Sequence, residues 1–106
     1  MTETEMKILA LFKAAMEKKL QVSGVIAFGS RARGEADQHS DLDVVVVLDE
    51  EPDEAVRDYV SDCAWEAGFE AGIVLVPVVF SRSEWETGMI RHSLLGMAIE
   101  MEGLPV

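Results

Sequence analysis

Asp41 and Asp43 flank Leu42 at the head of an apolar run that continues to Leu48. If that run is a β-strand, residues two apart project to the same face. Their α-carbons then lie roughly 6–7 Å apart, at a rise of about 3.3 Å per residue. Two carboxylates converging at a strand tip can share a pair of Mg²⁺ ions. Such ions sit about 3.5–4 Å apart and clamp the attacking and leaving oxygens of a phosphoryl displacement. The next residues on that face, Val45 and Val47, are apolar, so the charge is confined to the tip. Upstream, Gly29-Ser30 follows the short apolar run Val25-Ile26-Ala27-Phe28. Glycine lets a phosphate approach the backbone closely, because it has no Cβ. Ser30 adds a hydroxyl donor, and a helix turn beginning there presents free amides to an anion. Arg31 and Arg33 supply positive charge next to it, in a chain with only 9 Lys and Arg residues.

Each piece alone has a plain structural reading: Gly-Ser after a strand is often a turn, and Asp-x-Asp at a strand start often caps one. Other phosphate and metal motifs fail. No Gly-x-x-x-x-Gly-Lys-Ser/Thr occurs, which excludes a P-loop. A calcium loop starting at Asp37 would place Leu42 at its glycine position and Leu48 at its glutamate position. His39 is close enough in sequence to Asp41 to touch a phosphate, although His39 and His92 both read more simply as surface residues.

The elements that must position these residues follow from periodicity. Glu3–Leu20 reads as an amphipathic helix with Ile8, Leu9, Phe12, Met16 and Leu20 on one stripe, while Glu5, Lys13 and Lys18 lie elsewhere. Val25–Phe28 is the first strand. Ser30 is placed to cap a short helix over Arg31–Glu35 that Gly34 lets end early. Leu42–Leu48 is the second strand, covered on both faces. A helix follows with Pro52 in its first turn, an apolar stripe of Val56, Tyr59, Val60, Cys63 and Ala67, and Gly68 as its stop. Cys63 falls in that stripe and reads as a packing residue. Trp65 lies on the polar side. Ile73–Phe80 is the third strand, with Pro77 pointing to an edge position. Ser83 would cap a helix through Glu84–Arg91 opened by Trp85. A second stretch, Leu94–Glu102, ends at Gly103 before a short extended Leu104-Pro105-Val106. The expected architecture is α/β (α+β): one domain over residues 1–106, with a small mixed three- or four-stranded sheet and helices mainly on one face.

Composition bounds the function. A net charge of −11 over 106 residues repels phosphate backbones and argues against general nucleic-acid binding. No run is long enough to span a membrane, and the N-terminus lacks the form of a signal peptide. The single cysteine allows neither an internal disulfide nor a cysteine zinc site. The chain therefore reads as soluble and cytoplasmic, suited to one metal-neutralised nucleotide and to a basic protein partner.

Gly29-Ser-Arg-Ala-Arg-Gly34 followed by Ser40-Asp-Leu-Asp43 resembles the signature of the polymerase-beta-like nucleotidyltransferase superfamily, and within it the minimal nucleotidyltransferases. The likeness is strongest over residues 24–48, and Glu100-Met-Glu-Gly103-Leu resembles the acidic-glycine ending of many such domains. These domains are often antitoxins of HEPN-domain ribonuclease toxins. The resemblance implies that Gly29 and Ser30 bind the triphosphate, with Arg31, Arg33 and Ser40 beside it, and that Asp41 and Asp43 ligate Mg²⁺ or Mn²⁺. An acceptor hydroxyl would attack the α-phosphate of ATP or another nucleoside triphosphate, and some relatives imply AMP transfer to a tyrosine of a HEPN-type partner. Active members carry a third carboxylate on the third strand, where this chain has none. Glu70 is the nearest substitute, on the face of Val74 and Val76 if period two extends back to it. A module that keeps the fold but only binds a partner is the alternative, and the oligomeric state stays open.

Overall fold

The computed structural model describes residues 1–34, 37, 39–87, 93, 96, 99 and 103–106. The elements run α1 (Glu3–Glu17), β1 (Val22–Phe28), α2 (Gly29–Arg33), β2 (Leu42–Leu48), α3 (Glu54–Phe69), β3 (Leu75–Ser81), α4 (Arg82–Glu86) and β4 (Leu104–Pro105). The four strands form one mixed sheet in the order β3-β2-β1-β4. β1 is antiparallel to β2 and β4, while β2 and β3 are parallel and joined by the α3 crossover.

β2 is central and spans the expected Leu42–Leu48, with every residue but Asp43 buried. One face packs on α1 and α3 through Leu9, Phe12, Met16, Val44, Val46 and Val60. The other carries a thinner cover, where Val45 and Val47 meet Ile99, Phe80 and Trp85. The helices therefore lie mainly on one face, as expected. β3 is an edge strand, the position in which Pro77 is tolerated. Leu104–Pro105 pairs with Ile26 and Ala27, which realises the extended ending. Among the described residues no helix is long and apolar enough to cross a membrane.

The differences from expectation lie at element ends, where hydrogen bonds decide. α1 stops at Glu17 because the amides of Lys19 and Leu20 both turn back to the Met16 carbonyl. β1 begins three residues early, at Val22, and Ser23 bulges between Val22 and Gly24, which pair with consecutive residues of β2. Ser30 is not a helix cap: α2 already starts at Gly29, and the capping position is Phe28, without a side-chain bond. Gly34 ends that helix in the left-handed conformation, as expected. α3 starts at Glu54, because the Asp53 carboxylate caps the Val56 amide and leaves Pro52 outside. Gly68 does not stop α3 but lies buried in its last turn, where a Cβ would stand 1.9 Å from the Ile73 carbonyl oxygen. Its bareness lets the approach to β3 cross the helix closely. Ser81, not Ser83, caps α4, through a capping box with Glu84. His92, Glu35, residues 88–91 and most of residues 94–102 lie outside the described residues.

Candidate active site

The site forms where β1 ends beside the start of β2. Antiparallel pairing sets Phe28 against Asp43, so Gly29, the next residue, turns directly beneath the Asp43 carboxylate. Gly29 has φ of +79°, and a Cβ there would stand 2.4 Å from Asp43 Oδ2. Glycine is required twice over: for a backbone that L-residues avoid and for the volume that the carboxylate fills. Asp41 is exposed just ahead of the strand, and Asp43 is half-buried. Burial pushes the Asp43 carboxyl above its usual range, the Asp41 charge pushes it the same way, and Arg33 opposes both.

These residues fit a divalent cation. The donors are hard carboxylate oxygens of the kind Mg²⁺ prefers. The glycine leaves room for one of them, and their mutual repulsion is a cost that a cation would relieve. Asp41 and Asp43 would hold the metal. Among the described residues no third Asp, Glu, His or Cys joins them. The parallel register instead sets Val76 of β3, 38% exposed, directly across from Asp43. Glu70 caps the C-terminus of α3, exposed in a shallow depression with Leu11, Trp65 and Phe69, and is not grouped with the aspartates.

The two arginines separate. Arg33 is exposed at the end of α2, and its charge reaches Asp43. Arg31 turns inward instead of towards a phosphate and is 8% exposed. Its Nη1 donates to Glu5 Oε2 at 3.0 Å, its Nε to the Ser40 carbonyl at 2.7 Å, and its Nη2 to the Asp37 carbonyl at 3.4 Å. It ties α1 and α2 to the loop that delivers Asp41. Ser40 serves the same loop, since its hydroxyl accepts from the Asp37 amide and donates to the Asp37 carboxylate. Ser30 is half-buried in the first turn of α2, next to Gly29, and His39 is exposed on the loop.

Glu5 is the residue that sequence reasoning misplaced. It is buried, not on the polar side of α1, and its other oxygen accepts the Thr2 amide at 2.7 Å. Burial alone would raise its carboxyl, but the Thr2 amide and the Arg31 guanidinium hold it below the usual range. The signal was present: Glu5 stands four residues before Leu9, on the stripe that α1 buries.

The nucleotidyltransferase domain family matches residues 9–91, a span that contains Gly29, Ser30, Asp41 and Asp43. Among curated proteins nothing matches. Among solved structures, a toxin–antitoxin complex with AMP-PNP aligns at a TM-score of 0.65 and 17% identity, over 98% of this chain and 72% of that one. A mutant of the toxin–antitoxin pair MntA–HpeT aligns at 0.59 and 23%, over 96% and 70%. A tri-AMPylated HEPN toxin from Shewanella oneidensis in complex with its MNT antitoxin aligns at 0.55 and 13%, also over 96% and 70%. At these identities the likeness is one of fold. The family match over most of the chain, on a mixed sheet that carries the paired aspartates where β2 begins, places this protein in the nucleotidyltransferase domain family.

Proposed function

We propose that the chain is a Mg²⁺-dependent nucleotidyltransferase that moves AMP from ATP onto a hydroxyl of a partner protein, as the cytoplasmic antitoxin of a HEPN-type toxin. The observation that carries this reading is the fit of the Asp43 carboxylate over bare Gly29, with Asp41 beside it. The AMP-PNP bound in one structure of this fold, and the AMPylated toxin in another, support the choice of nucleotide and of partner.

A bound Mg²⁺ or Mn²⁺ would neutralise the triphosphate and the charge that develops at the α-phosphate. The chain's own residues do the rest. Asp41 and Asp43 hold the ion at the strand tip, Gly29 and Ser30 receive phosphate oxygens, and Arg33 adds positive charge from the exposed side. Arg31 and Ser40 act at one remove, by fixing the loop that sets Asp41. The acceptor oxygen forms a bond to the α-phosphorus, the bond to pyrophosphate breaks, and the acceptor proton must leave.

That last step motivates the second reading, a module that binds nucleotide and partner with weak or no transfer. With Val76 opposite Asp43, no third carboxylate among the described residues stands there to take the proton. General-base assistance is worth about 10²–10⁴-fold in rate.

Calorimetry of ATP binding with and without Mg²⁺, on wild type, Asp41→Asn and Asp43→Asn, tests the site. Label transfer from [α-³²P]ATP to a co-expressed HEPN-type protein tests the reaction. Metal-dependent binding in wild type alone, with label on the partner, is the expected result. Mutants that bind the metal–nucleotide like wild type would overturn the site. Metal-dependent binding without transfer would establish the second reading.

A further inference from the structure

α3 carries two large aromatic side chains turned to solvent, one helical turn apart. Trp65 is 62% exposed and Phe69 66% exposed, with ring centroids 5.8 Å apart. They form a ridge between two depressions. On one side lies an apolar cavity of about 340 Å³, walled by Ala64, Gly68, Val74 and Leu75. On the other lies a shallower depression with Leu11 of α1, itself 61% exposed. Exposed apolar surface gathered in this way marks an interaction site, unlike apolar residues scattered singly.

A row of acids borders the ridge. Glu54, Asp58, Asp62, Glu66 and Glu70 recur at every fourth residue of α3 and its C-cap, and all five are exposed. Like charges four apart on a helix repel and weaken it. The row therefore costs the free domain stability that a cationic neighbour would return. A second copy of this chain is the wrong occupant, because it would set acid row against acid row on a chain of net charge −11.

The cavity lies on the α3 face of the sheet and Asp43 on the opposite face with Val45 and Val47, but the two are joined through the backbone where β2 and β3 begin. The Val74 carbonyl in its wall accepts the amide of Leu42, the residue between Asp41 and Asp43, at 2.9 Å. Val74, in the cavity wall, and Val76, across from Asp43 on the other face, are 50% and 38% exposed, so apolar side chains stand on both sides of the start of β3. We propose that the Trp65–Phe69 ridge and its cavity dock the protein acceptor through a basic amphipathic segment. An aliphatic or aromatic anchor of that segment fills the cavity, its lysines and arginines lie along the acid row, and the acceptor's hydroxyl reaches the aspartates round the edge strand β3. The role as an acceptor dock rests on the transfer reading; the docking itself does not.

The probe is a fluorescein-labelled helical peptide with leucines four apart, a lysine-rich flank and one tyrosine. A version with glutamates in place of the lysines serves as control. Anisotropy with the full chain should show binding of the lysine peptide alone, weakening as salt rises. Trp65→Ala/Phe69→Ala should lower its affinity at least tenfold, as should Asp62→Lys/Glu66→Lys. Melting temperature and Mg²⁺–ATP affinity should hold in both, since all four side chains are exposed and away from the aspartates. Asp43→Asn should leave peptide binding intact, so docking survives if the transfer reading fails. Equal binding of both peptides, or unchanged affinity in the ridge variant, would overturn the proposal. So would wild type sedimenting as a dimer that the ridge variant dissociates, or single-stranded RNA displacing the peptide from wild type.

Discussion

Gly29→Ala separates two effects of one missing Cβ, because the fold supplies its own control. Gly29 and Gly34 share a positive φ, +79° and +76°, but of the two only Gly29 faces a side chain among the described residues. An L-residue in the left-handed region costs roughly 1–2 kcal/mol. In a domain of this size that lowers the melting temperature by about 4–8 °C per kcal/mol. Gly34→Ala should show this loss and nothing else, since among the described residues no atom lies within 4 Å of the point its methyl group would occupy. Gly29→Ala carries the same strain, and its methyl group also meets Asp43 Oδ2 at 2.4 Å. Relief to an ordinary contact of 3.4 Å moves that oxygen by about 1 Å.

The displacement falls on binding more than on stability. Asp43 is a half-buried carboxylate next to a like charge, so turning it outward releases part of a cost it already bears. The two alanine variants should therefore melt within a few degrees of each other. Metal-dependent ATP binding should survive in Gly34→Ala and fall sharply in Gly29→Ala. Where transfer is measurable it should drop about 10²-fold, the scale of a 1 Å misplacement at a reacting centre. Scanning calorimetry and titration with Mg²⁺–ATP read the two quantities separately. Equal nucleotide affinity in the two variants would refute the claim that Gly29 exists to seat Asp43.

Arg31→Ala leaves Glu5 buried and unpaired, and should cost about 3–5 kcal/mol by urea unfolding, the scale for breaking a buried ion pair. Because the folded state holds the Glu5 carboxyl below its usual range, its contribution to stability is complete above the unfolded value near about 4.3. It is lost as pH falls through the lower folded value, a slope that Glu5→Gln should remove from the acid limb of the stability profile. Val76→Asp places a carboxylate across from Asp43 at a 38% exposed position, and should raise transfer by about 10²-fold or more. An unchanged rate would mean that the missing base is not what limits transfer. Glu70→Gln should leave transfer unchanged from its place at the end of α3, whereas a loss of about 10²–10⁴-fold with intact nucleotide binding would mark Glu70 as the base.

What was legible and what was not divides along a physical line. β2 could be read to the residue because a strand buried on both faces leaves a continuous apolar run, and its tip showed as two aspartates. Gly29 was legible as a place for close approach, although the group that approaches it in the structure is the protein's own Asp43 carboxylate. Helix ends were less legible, because Asp53 and Ser81 compete with Pro52 and Ser83 for the same role, and only the hydrogen bonds formed decide between them. The Glu5–Arg31 pair joins residues far apart in sequence, so no local window contains it.

The separation of Arg31 from Arg33 is nevertheless implied by the sequence. A helix over Arg31–Glu35 cannot give both arginines to one phosphate. It advances about 100° per residue, so positions two apart lie about 200° apart around it and face opposite ways. One arginine has to turn inward. A buried guanidinium keeps its charge at tolerable cost beside a carboxylate, and Glu5, the capping-box residue of α1, gives one oxygen to the Thr2 amide and the other to Arg31. The two features that sequence reasoning misplaced therefore explain each other: the buried acid and the inward arginine are a single structural pair, and of the two arginines it is Arg33 whose charge reaches Asp43.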